Sequence, residues 1–597
     1  MQTFDRSRGF RIGALVLALS SFSVASSPAL AADEPLAVDA YLGLRVPMRD
    51  HVVLNASMWK PHGSTKRLPA IVALSPYISE ENAAIGRYFA GNDFVVLIAD
   101  ARGRGSSQGL FDPLNESRDA YDVIEWTASQ AWCNGKVATG GPSYLGMVQW
   151  EVLKRQPPHL VTMIPIAAVR PGFDFPIRDN IFAPYDMQWA EYTSARTGNE
   201  AIMGDQQLWI DYFQELVREH RPFSDLPLIA HNTTTAFSKW LQHPTDDDYW
   251  RGMLPSSQDL ARVTIPILDI TGMYDADQAG SLAYYRELMR HAPEMARVNS
   301  YLVIGPWDHD GTHDPTQDIG GVDVGAASLV DVRQLQLDWY NWHLNGGQRP
   351  NFLQDHVTYY VTGPDEWRHA PSLAAIPSVT RRFYLHSTGD VSPSDAFHSG
   401  ELTASAAGGD PSDQYTYDPL DTRFLDFEHQ DISGTTNVDQ RYAIMLFGNG
   451  LVYHTAPLDR PLEIIGTPRF HASISMDVPD TDFIVWLYEI LPSGRSIALS
   501  SAQMRARYRH DPLRQQLVEP GIIDTYDFDN FTWMARRVEK GSRLRLVLSS
   551  PMSIFAERNY NSGGVVADES GKDARTAHVT LRHDGAHPTY LDLPVTP

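Results

Sequence analysis

The sequence predicts an α/β protein that carries an inserted helical segment and ends in an all-β domain. Three changes of texture along the chain predict it. Over residues 68–168, near-continuous apolar runs alternate with amphipathic stretches, the pattern of a parallel sheet covered by helices on both faces. Over residues 172–256 the strand signal gives way to helical spacing, and it returns over residues 257–350. From residue 351 to 597 short alternating strands follow one another with turn signals between them, as in a sandwich of the jelly-roll kind.

The elements follow in order. "LPAIVALSPY" and "DFVVLIADARG" are apolar, β-branched runs and read as buried strands. "ESRDAYDVIEWTASQAWCNG" places Ala120, Val123, Ile124, Thr127 and Ala131 on one helical face. "KVATGG" and "LVTMIPIAAV" are the next strands. In the insertion, "DMQWAEYTSA" and "QQLWIDYFQELVREH" read as amphipathic helices. "VTIPILDITGMYD" and "NSYLVIGPWDH" then restore the strand pattern, and "LVDVRQLQLDWYNWHL" closes it with a helix. The C-terminal strands are "HVTYYVTG", "RRFYLHS", "RFHASISM", "DFIVWLYEIL", "RLRLVLSS" and "HVTLRHD". "TASAAGGDPSD" is a low-complexity loop among them.

Composition narrows the function classes. At 597 residues the chain is too long for one ordinary domain, and a 43% hydrophobic share suffices for several cores. A formal net charge of −24 argues against nucleic acid, whose phosphates demand basic surface. The single cysteine, Cys133, excludes both an internal disulfide and a zinc site built on cysteines. Residues 1–31 read as a signal peptide. Arg6, Arg8 and Arg11 precede the apolar "IGALVLALSSFSVA", and "ALA" at Ala29–Ala31 is a small-residue cleavage site. A secreted or periplasmic protein is therefore expected, and no later segment reaches transmembrane length.

The chemistry centres on "KVATGGPSYLGMVQW". Ser143 stands between a strand and a helix, with Gly141 two residues before it. That is the context of a nucleophile elbow, although Leu145 occupies the place where a second small residue is usual, and glycine arrives only at Gly146. A serine hydroxyl needs a base, and in an α/β-hydrolase the acid and then the histidine follow on later strand ends. Asp275 ends "IPILDITGMYD" and His309 follows "YLVIGPWDH", so the three residue types come in that order, each at a strand terminus. For the oxyanion, the elbow geometry offers the Tyr144 N–H, and the loop "SPY" offers the Tyr77 phenol, which could equally pack beneath the loop.

These residues together resemble the cocaine-esterase-like (CocE/NonD) serine hydrolases, relatives of the Xaa-Pro dipeptidyl-peptidases and α-amino acid ester hydrolases. "VPMRDHVVLNASMWKP", "SPY", "DARGRGSSQG", "AWCNGKVATGGPSYLGMVQW", "GMYDAD", "GPWDHDG", "GPDEWR", "DTDFIVWLYEILPSGRSIAL", "MRARYR" and "NYNSGG" stand in family order. The Gly-x-Ser-Tyr-x-Gly form of the elbow is the family's own. The resemblance implies an α/β-hydrolase domain with a helical cap and a C-terminal jelly roll. It implies Ser143 as nucleophile, His309 as base, Asp275 as its orienter, and Tyr77 with Tyr144 as oxyanion hole. Arg102 and Ser107 are expected to brace the loop near the elbow.

The expected activity is cleavage of ester or amide bonds in small acyl substrates, with neither metal nor cofactor. Neither nucleic acid nor a membrane is an expected partner, and a homo-oligomer is left open. An Xaa-Pro dipeptidyl-peptidase is the nearest rival, weakened by the short stretch before Tyr77. A carbohydrate-binding jelly roll is the rival from another class, and it leaves the triad order unexplained. Of the cap aromatics at helical spacing, Trp189, Tyr192, Trp209 and Tyr212, some are expected to line the acyl pocket and others to pack, with Trp189 and Trp209 named as candidates. Asp277 resembles the acid by which α-amino acid ester hydrolases bind the substrate ammonium, and Asp174 or Asp179 would supply a carboxylate from the start of the cap. The plainer expectation for Asp277 is a cap on the helix "QAGSLAYYREL".

Overall fold

In the computed structural model, residues 37–198, 200–232, 234–406, 408–426, 437–438 and 448–597 are described. The expected signal peptide lies outside the described residues. Ten strands form the central sheet: β1 (Val38–Pro47), β2 (Val53–Pro61), β3 (Leu68–Ser75), β4 (Val95–Asp100), β5 (Cys133–Pro142), β6 (Leu160–Ile166), β7 (Leu268–Gly272), β8 (Tyr301–Gly305), β9 (Val357–Val361) and β10 (Glu366–Ala370). Their spatial order is β1-β2-β4-β3-β5-β6-β7-β8-β9-β10. The run from β4 to β9 is parallel, and antiparallel pairs close both edges.

The apolar runs are buried on both faces because alternate residues enter different cores. On one face Val72, Leu97 and Val137 meet α2 (Ser117–Ser129) and α3 (Tyr144–Val152) through Val123, Ile124 and Met147. On the other, Ile71, Val96, Ile98 and Ile164 meet α1 (Ala83–Ala90) and the closing helix Val332–Asn345 through Phe89, Trp339 and Tyr340. A strand with two buried faces has no room for polar alternation, which is why the sequence shows none.

The cap contains α4 (Tyr185–Ser194) and α5 (Gln206–Arg218), the two helices expected there, and a two-residue hairpin at Ile177–Arg178 and Ile181–Phe182 that the spacing did not reveal. The Asp205 side chain starts α5 by accepting from Leu208 N–H. A further helix, α6 (Gln278–His291), follows β7.

The C-terminal domain is all-β. Among the described residues, thirteen strands join into one hydrogen-bonded set around Leu385, Tyr453, Phe470, Phe483, Leu487, Leu546 and Leu581. One boundary differs from the expectation of residue 351. "HVTYYVTG" belongs to β9, which pairs parallel with β8, and β10 folds back on it. The hairpin covers the last edge of the parallel sheet, a covering that periodicity alone cannot assign to one domain or the other.

Several links tie the β-domain to the rest, two of them through buried side chains. Arg505 pairs with Asp482 and Glu557 at 2.9 and 2.7 Å, and Glu557 and Phe182 of the cap hairpin are joined through the Glu557 N–H. The Gln278 carboxamide donates to Trp533 O at 2.9 Å and accepts from Trp533 N at 2.8 Å. Among the described residues no helix is long and apolar enough to cross a membrane.

Candidate active site

Strand β5 runs into α3 through a turn in which Ser143 holds φ 59° and ψ −123°. A non-glycine residue at positive φ is uncommon and needs support from its surroundings. Here the Ser143 N–H donates to Ile166 O at 2.8 Å, and its carbonyl accepts from Met147 N at 3.0 Å. The glycine spacing follows from contacts. Gly141 has φ +131°, and a Cβ at Gly146 would stand 2.8 Å from Ile166 O. Leu145 instead turns inward, so the small residue is needed at 146, where α3 crosses the end of β6.

Asp275 and His309 leave the ends of the adjacent strands β7 and β8, on the same sheet edge as Ser143. Asp275 is buried and its Oδ1 lies 2.9 Å from His309 Nδ1. The same carboxylate accepts from Asp277 N at 3.0 Å and from Thr271 Oγ1 at 3.2 Å. An ionised carboxylate only accepts, so Nδ1 carries the proton and Nε2 is left as the basic nitrogen. Burial alone would lower the His309 pKa. The hydrogen bond and charge of Asp275, with Asp277 and Asp310, outweigh it and push the imidazole up to about 10.

Asp277 does not cap the helix that it precedes, which corrects the plainer expectation. Its side chain makes no bond to the first turn of α6. Its Oδ2 lies 3.4 Å from His309 Nδ1, where burial, with the charge of Asp275 against that of His309, pushes its pKa up to about 7. The helix amide is taken by Asp174 from the start of the cap, whose Oδ2 accepts from Gly280 N–H and whose Oδ1 accepts from Arg170 N–H at 2.8 Å. Burial, and next the charge of Asp277, hold Asp174 well above the usual carboxylate range. Asp179 points elsewhere, to Arg178 and to Asn530 of the β-domain. Of the two cap acids left open by spacing, Asp174 is therefore the one beside Asp277.

Tyr77, in the loop after β3, hydrogen-bonds Ser143 and accepts from Trp189 Nε1–H at 3.1 Å. Burial pushes its phenol up to about 12, so it stays protonated and able to donate. Tyr144 opens α3, and its hydroxyl donates to Glu116 and accepts from Leu114 N at 2.8 Å. Glu116 N–H in turn donates to Glu151 Oε2 at 3.0 Å, so an acid pair lies buried beneath the elbow.

The cap aromatics divide. Trp189 and Tyr192 of α4 reach the site, where Tyr192 stacks on Tyr77 and Trp189 on Tyr144, both at 5.5 Å. Trp209 is not brought there. It is fully buried in α5, donates to Ile202 O at 2.8 Å and packs on Tyr212 and Phe213. Tyr185, at the start of α4, went unread in the sequence. It has 43% of its surface open and lies near Tyr77 and Asp277. Arg102 pairs with Asp119 at 2.7 Å and Asp50 at 2.9 Å, and Ser107 bonds Asp100 O and Asn55 N, so both brace their loop. Arg104 was also missed, because a buried arginine bonded to carbonyls has no spacing signature.

Among the described residues, Asp275, Asp277 and His309 form the one group whose side-chain atoms could hold an ion, all within 4.8 Å of one another. The nitrogen it would use is the one already bonded to Asp275. The arrangement suits proton transfer from an activated hydroxyl.

Comparison with known proteins finds hydrolases among the relatives of this chain. Residues 50–311 match the X-Pro dipeptidyl-peptidase (S15 family), and residues 348–592 match the X-Pro dipeptidyl-peptidase C-terminal non-catalytic domain. The chain is 26% identical to a cocaine esterase of Rhodococcus sp. over 580 residues, covering 92% of this chain and 97% of the relative. It is 24% identical to a putative serine esterase of Mycobacterium bovis, covering 80% and 83%. In fold it is similar to an α-amino acid ester hydrolase, with TM-score 0.80, 20% identity and coverage of 95% and 98%. An aminopeptidase from a marine-sediment Thaumarchaeota archaeon gives TM-score 0.79, 20% identity and coverage of 97% and 99%.

Proposed function

The chain belongs to the cocaine-esterase-like (CocE/NonD) serine hydrolases of the S15 type, and from that membership we propose that it cleaves ester bonds, and amides of similar shape, in small acyl compounds. Ser143 Oγ attacks the acyl carbonyl while His309 Nε2 takes its proton. Asp275 holds the Nδ1–H tautomer and stabilises the imidazolium. The Tyr77 hydroxyl and the Tyr144 N–H donate to the tetrahedral oxyanion. The oxyanion collapses, the C–O or C–N bond breaks, and His309 returns the proton to the leaving alcohol or amine. Water then attacks the acyl-enzyme with His309 again as base, releasing the acid and restoring Ser143.

The observation that carries this reading is the 2.9 Å Asp275–His309 bond on the sheet edge where Ser143 is held at positive φ. Labelling with a fluorophosphonate tests it. Folded wild type is expected to label and Ser143→Ala is not; a folded wild type that stays unlabelled overturns it.

A second reading concerns which acyl group is preferred. Asp277 faces His309 rather than the helix, and Asp174 stands beside it. A carboxylate so close to the scissile carbonyl favours a cationic α-ammonium and disfavours anionic acyl groups. α-Amino esters are the substrates that this pair suits. We also propose export, from the basic and apolar sequence of residues 1–31. The N-terminal sequence of protein recovered outside the cytoplasm, expected near Ala32, tests it.

A further inference from the structure

The oxyanion loop is held partly from within, by Tyr77 N–H on Ser75 Oγ at 3.0 Å, and partly from the cap. Beyond the stacking of Tyr192 on Tyr77, two hydrogen-bonded ties to α4 involve side chains that the mechanism above leaves without a role. Arg104 is fully buried, and its guanidinium is spent on backbone carbonyls. Nε donates to Pro76 O at 2.7 Å, next to Tyr77 in the chain. The two terminal nitrogens donate to Thr193 O at 2.9 Å and Tyr192 O at 3.4 Å, in the last turn of α4. Those carbonyls lie at the C-terminal end of the helix, the negative end of its dipole, so a planar cation with several donors suits them. Arg104 thereby ties the loop to the cap helix.

Trp189 makes the second tie, on the side chain itself. Indole N–H is a donor only, so its 3.1 Å contact makes the Tyr77 oxygen the acceptor. The single phenolic proton must then point elsewhere, and Ser143 is the other side chain that hydrogen-bonds this phenol. An accepted hydrogen bond also polarises the phenol and strengthens the bond that it donates. The ring of Trp189 lies parallel to Tyr144, the residue whose N–H is the second donor. One cap side chain thus touches both halves of the hole.

We infer that Arg104 and Trp189 are positioning residues which make the oxyanion hole conditional on the cap helix. With α4 docked, the Tyr77 proton is aimed at the reacting oxygen; with α4 displaced, the loop loses these two ties and the phenol its direction. The inference rests on the oxyanion role of Tyr77 given above.

Double-mutant kinetics test it. Trp189→Phe keeps a ring on Tyr144 and removes only the N–H. It is expected to lower kcat about tenfold with KM within about twofold. Affinity for a phenylboronic acid, which forms a tetrahedral adduct on the serine, should fall in parallel. In the Tyr77→Phe background the same substitution should change kcat by less than about twofold, since its effect passes through the lost hydroxyl. Arg104→Lys keeps the charge but cannot span both backbones, and the same split is expected of it. A Trp189→Phe loss that is equal in both backgrounds, or one that lies wholly in KM, overturns the inference and leaves Tyr77 in place. An unchanged kcat in Tyr77→Phe alone overturns the oxyanion assignment, and the inference with it.

Discussion

Asp277 Oδ2 stands 3.4 Å from His309 Nδ1, the nitrogen that Asp275 Oδ1 already holds at 2.9 Å. Two carboxylates therefore face one imidazole N–H, and both favour its charged form.

The first expectation is an alkaline rate profile. His309 acts as base only when neutral, and its pKa is pushed up to about 10. The value of kcat/KM should rise with pH toward that range, since deprotonation creates the active form. Asp277→Asn removes one carboxylate, so its rising limb should move to lower pH by on the order of one unit. A limb that stays put would show Asp277 to be electrostatically silent.

Ser143→Ala and His309→Ala should each lower turnover of a p-nitrophenyl ester by roughly 10⁴-fold or more while leaving the melting temperature near wild type. Asp275→Asn should be comparably severe, through the wrong tautomer. Tyr77→Phe should cost on the order of 10²–10³ in kcat. Retained turnover in the purified Ser143 or His309 variant contradicts the mechanism.

Selectivity for an ammonium is read from a ratio. The kcat/KM for an α-amino ester over its des-amino analogue should favour the amine in wild type and fall at least severalfold in Asp277→Asn. Stability should respond at the other acid. Asp174→Ala orphans two backbone donors, Arg170 N–H and Gly280 N–H, and should cost on the order of 1–3 kcal/mol, whereas Asp277→Asn should leave the melting temperature unchanged. The reverse pattern would return the capping role to Asp277.

The acid pair beneath the elbow predicts alkaline softening. Burial raises the Glu151 carboxyl from 4.5 to about 8. The folded state keeps a proton that the unfolded chain releases across that window. Its contribution is therefore full below about 4.5 and is lost as pH rises through about 8. Thermal melts of wild type should fall across that window, and Glu151→Gln, which stays neutral, should flatten the fall. Parallel curves for the two proteins would place the softening elsewhere.

The sequence makes the domain order readable because period and composition change at each junction. The placing of Asp275 and His309 on the sheet edge of Ser143 is readable because chain order and strand ends constrain three residue types at once. What stays hidden depends on docking. Trp189 and Trp209 each stand within a cap helix, and only the packing of α4 against the Tyr77 loop separates them. Asp277 has the sequence context of a helix cap, but Asp174, 103 residues earlier, already holds the Gly280 amide. The β9–β10 hairpin has the texture of the all-β domain and the pairing of the central sheet. Arg104 sits in a glycine-rich run whose partners become visible only when three loops meet.

The Gln278–Trp533 pairing has a consequence in time. The loop that bears Asp275 is held by a residue 255 positions further along the chain. On a ribosome adding about 5–20 residues per second, nucleophile, acid and base are all made roughly 10–50 s before that support exists. A chain that has not yet reached Trp533 carries its chemistry without this support for the Asp275 loop.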